Sequence, residues 1–217
     1  MKHLIRRIGK TITAPFRAVG SFFSRLLEPI RAFLFEEPED KPIGDSIQMA
    51  FEEPQGVMEH LDALRRHLFR SVIVLILFAA GAYIFLPQLL EWIAQPIGGL
   101  QELRAVEVTE PIGVAMRVVL LAGFALALPY IALEIFLFIA PALSRRARIS
   151  GLLAIPLVVI FFFGGMAFAY YLILPTGLPV LINFLDVPAE IRPSSYVRFV
   201  TGLMFWIGLV FEFPLLS

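Results

Sequence analysis

Four stretches of this sequence are too apolar and too long to be hidden in a protein core. They run from about Leu68 to Trp92, from Ile112 to Ala140, from Leu152 to Leu174, and from Val200 to Ser217, the last residue. A helix rising about 1.5 Å per residue needs roughly 20 residues to cross the hydrocarbon of a bilayer. Inside lipid a backbone must satisfy its own hydrogen bonds, so such stretches fold as helices. The expected fold is therefore all-α, a polytopic membrane helix bundle. Composition agrees, with 59% of the 217 residues hydrophobic, 17% charged and Phe present 21 times. An ordinary soluble domain carries about 25% charged residues. The fourth stretch stops with no polar flank after it, as expected of a truncated chain.

The polar residues are sorted along the chain. Residues 1–35 carry Lys2, Arg6, Arg7, Lys10, Arg17, Arg25 and Arg31 against the single acid Glu28. Apolar residues interleave at steps of three and four, as in a basic amphipathic helix lying on an anionic membrane surface; a solvated arm is the alternative reading. Residues 36–57 reverse the sign, with Glu36, Glu37, Glu39, Asp40, Asp45, Glu52 and Glu53 and three prolines, and read as a linker. The division expected is an N-terminal extension over 1–57 and a membrane domain over 58–217.

Short loops set the orientation. Arg65, Arg66 and Arg70 stand at the start of the first span, and Arg145, Arg146 and Arg148 separate the second from the third. The other two loops are acidic on balance. The positive-inside rule then places the N-terminus and the 141–149 turn in the cytoplasm. The basic turn within "FIAPALSRRARIS" is thus a topology signal first.

Few residues offer chemistry. The chain has no Cys, and His3, His60 and His67 have no metal-ligand partners at helical spacing, so no metal is expected. No nucleotide loop, nucleophile elbow or paired-carboxylate motif occurs, so neither an enzyme nor a cofactor is expected. Nothing points to nucleic acid. Ionisable groups within spans are costly and often functional. Arg117 reads first as a side chain snorkelling to the interface. Glu134 lies near the end of its span, placed to reach headgroups or cap a neighbouring helix. Glu212, in "VFEFPLL", stands two residues before Pro214, whose missing N–H frees a carbonyl in mid-span. It is the strongest candidate for a polar site. The adjacent Gly164 and Gly165 suggest close helix packing.

From about Met58 onward the chain resembles the TatC family, the multi-spanning subunit of the twin-arginine (Tat) protein translocase. "MEHLDALRRHL" is similar to the family's opening motif, and "FIAPAL" with its basic turn to the junction of the second and third helices. "GGMAFAYYLILP" resembles the third helix, and "SSYVRFVTGLMFWIGLVFEFP" the fourth, with Glu212 and Pro214. The resemblance implies six spans, of which four are present here, in the prokaryotic cytoplasmic membrane. It also implies binding of the twin-arginine signal peptides of folded cargo, TatA/TatB-type single-span partners, homo-oligomers within the complex, and transport driven by the proton-motive force.

Residue by residue the match is uneven. The family's signal-binding patch uses two glutamates, and their positions hold Ala63 and Ala147 here. Arg65 and Phe138 match residues that line the patch, and Pro96 matches a family proline in the first outer loop. Glu134 stands where relatives often carry Gln. Asp62, Glu59 and Glu134 are the acids available as substitutes. The leading expectation is a Tat receptor subunit; the alternative is a divergent, non-transporting scaffold for the partner helices. A small-solute transporter using Arg117, Glu134 and Glu212 lacks the inverted repeat such folds carry.

Overall fold

The computed structural model of the chain describes residues 54–104, 106–182 and 191–216. The basic arm expected over 1–35, and the acidic linker up to residue 53, lie outside the described residues.

The first helix, α1 (Pro54–Ile84), has 31 residues and opens on a proline, which suits a first turn because its N–H would be unpaired there anyway. It therefore starts within the stretch expected as linker. The span was expected to run on to Trp92, but the helix stops at Ile84. Pro87 cannot donate to the carbonyl one turn back. The Phe85 N–H closes a tight turn on the Ala82 carbonyl at 3.0 Å, and α2 (Leu86–Ala94) restarts with the proline in its first turn.

After α2, 3-10 turns over Gln95–Ile97 and Leu100–Glu102 flank Gly98 and Gly99, whose φ angles of 99° and 116° suit a residue without Cβ. The long helix α3 (Glu110–Ile139) carries Pro129 inside it, and a 3-10 turn over Ala140–Ala142 leads to α4 (Arg145–Phe168). The chain then widens into one π-helical segment, Ala169–Ile173, before α5 (Leu174–Ile182). Pro175 explains the widening, since it withdraws one donor from the regular ladder. The third apolar helix thus continues to Ile182, past the end at Leu174 expected from hydropathy. Finally α6 (Pro193–Val210) breaks at Phe211 and Glu212 before the short α7 (Phe213–Leu216).

Among the described residues four segments are long and apolar enough to cross a membrane: Met58–Ile84, Glu110–Ala142, Arg145–Ile182 and Pro193–Leu215. Helix α3 is the hub, packing against α1, α4 and α6, while α4 and α6 also pack on each other. Small residues allow the crossings. A Cβ on Gly123 of α3 would fall 2.7 Å from Ala79 Cα of α1, and one on Gly165 of α4 would fall 2.8 Å from Gly208 Cα of α6. Of the adjacent pair, only Gly165 meets a neighbour; Gly164 faces open space. Close backbone approach of this kind drives helix association where lipid leaves no hydrophobic gain. Large side chains such as Leu68, Phe69, Ile76 and Leu77 stay exposed on α1, as a lipid-facing helix requires.

Candidate functional site

The polar residues gather at the two ends of the bundle and at one break within it. At the near end, where α1 begins and α3 ends, Glu59, Asp62, Arg65, Arg66, Phe69 and Arg70 line an open groove of about 570 Å3. These positions recur at helical steps, so one face of α1 presents all of them. The Phe138 ring of α3 stacks on His60 with centroids 4.4 Å apart and meets His67 edge-on at 6.2 Å. Asp62, Arg65, Glu59 and Phe138 therefore share this end, and Ala63 lies half-buried among them.

Glu134 is different. It is 2% exposed, and both its oxygens are engaged. Tyr130, one turn earlier on α3, donates to Oε1 at 2.5 Å, and His67 of α1 pairs with Oε2 through Nδ1. A buried carboxylate held on both sides is a structural clasp between α1 and α3, closed to an incoming cation unless His67 is displaced.

The three arginines of the basic turn also separate. Arg145 and Arg146 are exposed, Ala147 is half-buried, and Arg148 is buried at 5%. The Arg148 guanidinium donates from Nε to the Ala140 carbonyl at 2.9 Å and the Leu143 carbonyl at 3.1 Å. The Ala140 carbonyl, at the C-terminus of α3, also accepts the Leu143 N–H at 3.0 Å, so Arg148 adds a second donor there and reaches the Leu143 carbonyl in the turn beyond. A cation there also complements the negative end of the helix dipole.

At the far end, the turn holding Pro96 is tied down by two tyrosines. Tyr170, in the π segment, donates to the Trp92 carbonyl at 2.5 Å and stacks on the Trp92 ring at 4.0 Å. Tyr196 of α6 donates to the Ile93 carbonyl at 2.7 Å. Two helices thus cap the end of α2, around a core of Ile93, Val118, Leu174 and Val200. Beside it, Glu110 accepts from the Ser194 hydroxyl at 2.6 Å and the Val106 N–H at 2.9 Å, and Arg192 bridges Glu107 at 3.1 Å and Glu110 at 3.6 Å. A backbone bridge between Leu103 and Ile191 completes the link between the two far-end loops.

Glu212 sits at the α6–α7 break, 8% exposed, where Pro214 prevents the helix from continuing. Both its carboxyl oxygens are buried without a hydrogen-bond partner among the described residues. An unsatisfied carboxyl in a membrane interior costs enough to be kept only for a reason.

The sequence-derived candidates therefore fall into separate places: the α1 groove, the Glu134 clasp, the Arg148 cap, the Glu212 break and the Pro96 turn. Sequence reasoning passed over His60, His67, Tyr130, Tyr170, Tyr196, Glu110 and Arg192. Aromatic hydroxyls and imidazoles at span ends were the available signal. Among the described residues no group of three or more His, Asp or Glu gathers as metal ligands.

Comparison with known proteins gives a consistent result. The family described as "Sec-independent protein translocase protein (TatC)" matches residues 59–217. The TatC protein of Carboxydothermus hydrogenoformans is 31% identical over 75% of this chain and 68% of its own length. That of Synechocystis is 30% identical over 81% of this chain and 67% of its own. A crystal structure of the twin arginine translocase receptor TatC superposes with a TM-score of 0.65 at 29% identity, covering 72% of each chain.

Proposed function

The chain belongs to the TatC family of Sec-independent protein translocase proteins, as a multi-pass membrane protein, and from that premise we propose that it is a twin-arginine signal-peptide receptor. In this reading it lies in the prokaryotic cytoplasmic membrane with its N-terminus in the cytoplasm. It works in homo-oligomers with TatA/TatB-type single-span partners, and the proton-motive force drives the passage of folded cargo. It carries out no bond-making chemistry of its own.

The observation that carries this reading is the pair Glu59 and Asp62. They are exposed, three positions apart on one face of α1, and they line the same groove. With Glu134 held by His67 and Tyr130, they are the acids of this groove open to a guanidinium, which pairs with carboxylates in two-pronged fashion. Arg65, Arg66 and Arg70 oppose a cationic peptide further along the groove. The signal arginines are therefore assigned to its first turn, with Phe138, packed on His60 and His67, beside the groove rather than in its lining.

Site-specific photo-crosslinking tests the assignment. A twin-arginine signal peptide is expected to crosslink at positions 62, 65 and 138, and a twin-lysine version much less. The scaffold reading is favoured by Ala63 and Ala147 standing in place of acids, and by the internal engagement of Glu134. It prevails if no position crosslinks while TatA-like partners still co-purify.

A further inference from the structure

We propose that a groove between α1, α3 and α6, near the far end of the bundle, holds an anionic phospholipid, with Arg117 and Arg198 on its phosphate. The cavity measures about 560 Å3, within the range of roughly 300–1,000 Å3 typical of small-ligand sites. Its apolar wall is formed by Leu75, Leu121, Phe124, Phe205 and Trp206.

Two cations from different helices face this one cavity, Arg117 on α3 and Arg198 on α6. Both are exposed, and neither has an ion pair or hydrogen bond among the described residues. Snorkelling alone would let each head run separately to water. Convergence of like charges at a membrane-facing groove is instead repulsive, the more so as the dielectric falls. A shared anion reverses the sign, and a phosphate matches guanidinium geometry.

Depth supplies the second half of the argument. Arg117 lies about two turns into α3 and Arg198 about one and a half into α6, both measured from the far end. Phe124 and Phe205 lie about two turns deeper on the same helices, roughly 10 Å. The site is cationic at interface level and apolar below it. That order suits an amphiphile with a charged head and an acyl chain. A partner helix about 10 Å across would fill the cavity within one or two turns, so it fits this volume poorly.

The test uses the whole chain reconstituted into phosphatidylcholine vesicles with equal mole fractions of acyl-brominated phosphatidylglycerol or acyl-brominated phosphatidylcholine. Bromine quenches nearby indole emission, and the difference between the protein and its Trp206→Phe variant isolates the ring in the groove. Phosphatidylglycerol is expected to be preferred on the order of fivefold per arginine. The double variant Arg117→Gln/Arg198→Gln should lose that preference, and Arg117→Lys/Arg198→Lys should keep most of it. Gel filtration and thermal midpoints show that each variant is folded. Equal quenching by the two lipids overturns the proposal, as does a preference unchanged in the glutamine variant. Exclusion of both lipids by a bound acidic helix overturns it too.

Discussion

His67 of α1 and Glu134 of α3, 67 positions apart in sequence, pair side chain to side chain at the near end of the bundle. Tyr130 completes the set on the other carboxylate oxygen. Replacing Glu134 by Leu strands both donors in a half-buried setting, and the expected loss of stability is about 1–3 kcal/mol. Glutamine keeps an acceptor for Tyr130 and should cost less than about 1 kcal/mol. Unfolding in mixed micelles compares the two. A Leu variant as stable as the parent would show that the clasp holds nothing together.

The Arg148 cap predicts an unequal arginine scan. Arg148→Ala withdraws the guanidinium from the Ala140 and Leu143 carbonyls that join α3 to α4 and is expected to cost about 1–3 kcal/mol. Arg145→Ala and Arg146→Ala, at exposed positions, should stay within about 0.5 kcal/mol. The same unfolding assay applies, and three equal effects would contradict the assignment.

These two cases mark what was legible in the sequence. Spans are written in composition, because lipid rewards every apolar residue wherever it faces, so four helices could be counted from hydropathy alone. Their ends depend on single backbone donors. Pro87 halted α1 near Ile84, and Pro175 changed the winding of the third span without ending it, although both are prolines in apolar runs. The site was harder for a related reason. Arg145, Arg146 and Arg148 look alike in a list, and only the turn of α4 decides which one points back at α3. Glu134 stands out in the sequence as a charge within a span, but its partner His67 lies on another helix, and no local pattern links them. Glu110 and Arg192 escaped because each sits in a loop region that reads as solvated.

The tyrosine caps give a third expectation. Tyr196→Phe removes a hydroxyl that satisfies the Ile93 carbonyl while keeping the ring in the core. The cost should be about 1 kcal/mol. Tyr170→Phe should cost a similar amount, with the Trp92 stack retained. Because the caps lie on different helices and hold adjacent carbonyls, the double variant should depart from additivity. Strict additivity would mean that the two carbonyls are held independently.

Close approach of α4 and α6 at Gly165 and Gly208 yields a fourth. A valine at Gly165 would drive its Cβ into the Gly208 backbone and the Ile207 carbonyl. Overpacking of this kind costs about 1–3 kcal/mol and separates the helices. Valine at Gly164, which faces open space, should be nearly silent. Folded yield after detergent extraction distinguishes the pair; equal yields would deny the crossing.

Glu212 raises a different question, because among the described residues its burial brings no hydrogen-bond partner that would explain it. An unpaired carboxyl at a helix break should be cheap to remove from the fold and costly to lose in function. Glu212→Ala deletes a desolvated polar group, so the folded protein should accumulate at or near the parental level. Transport of a twin-arginine cargo should fall further than accumulation does, if the break exists to present this carboxyl to a partner or passing chain. Glu212→Gln keeps the shape and the polar atoms while removing the charge, and intermediate transport is expected of it. Export is measured at matched protein level for all three. Parental export by the alanine variant would leave the break with a packing role alone, and a collapse in accumulation would show that the carboxyl has a structural partner after all.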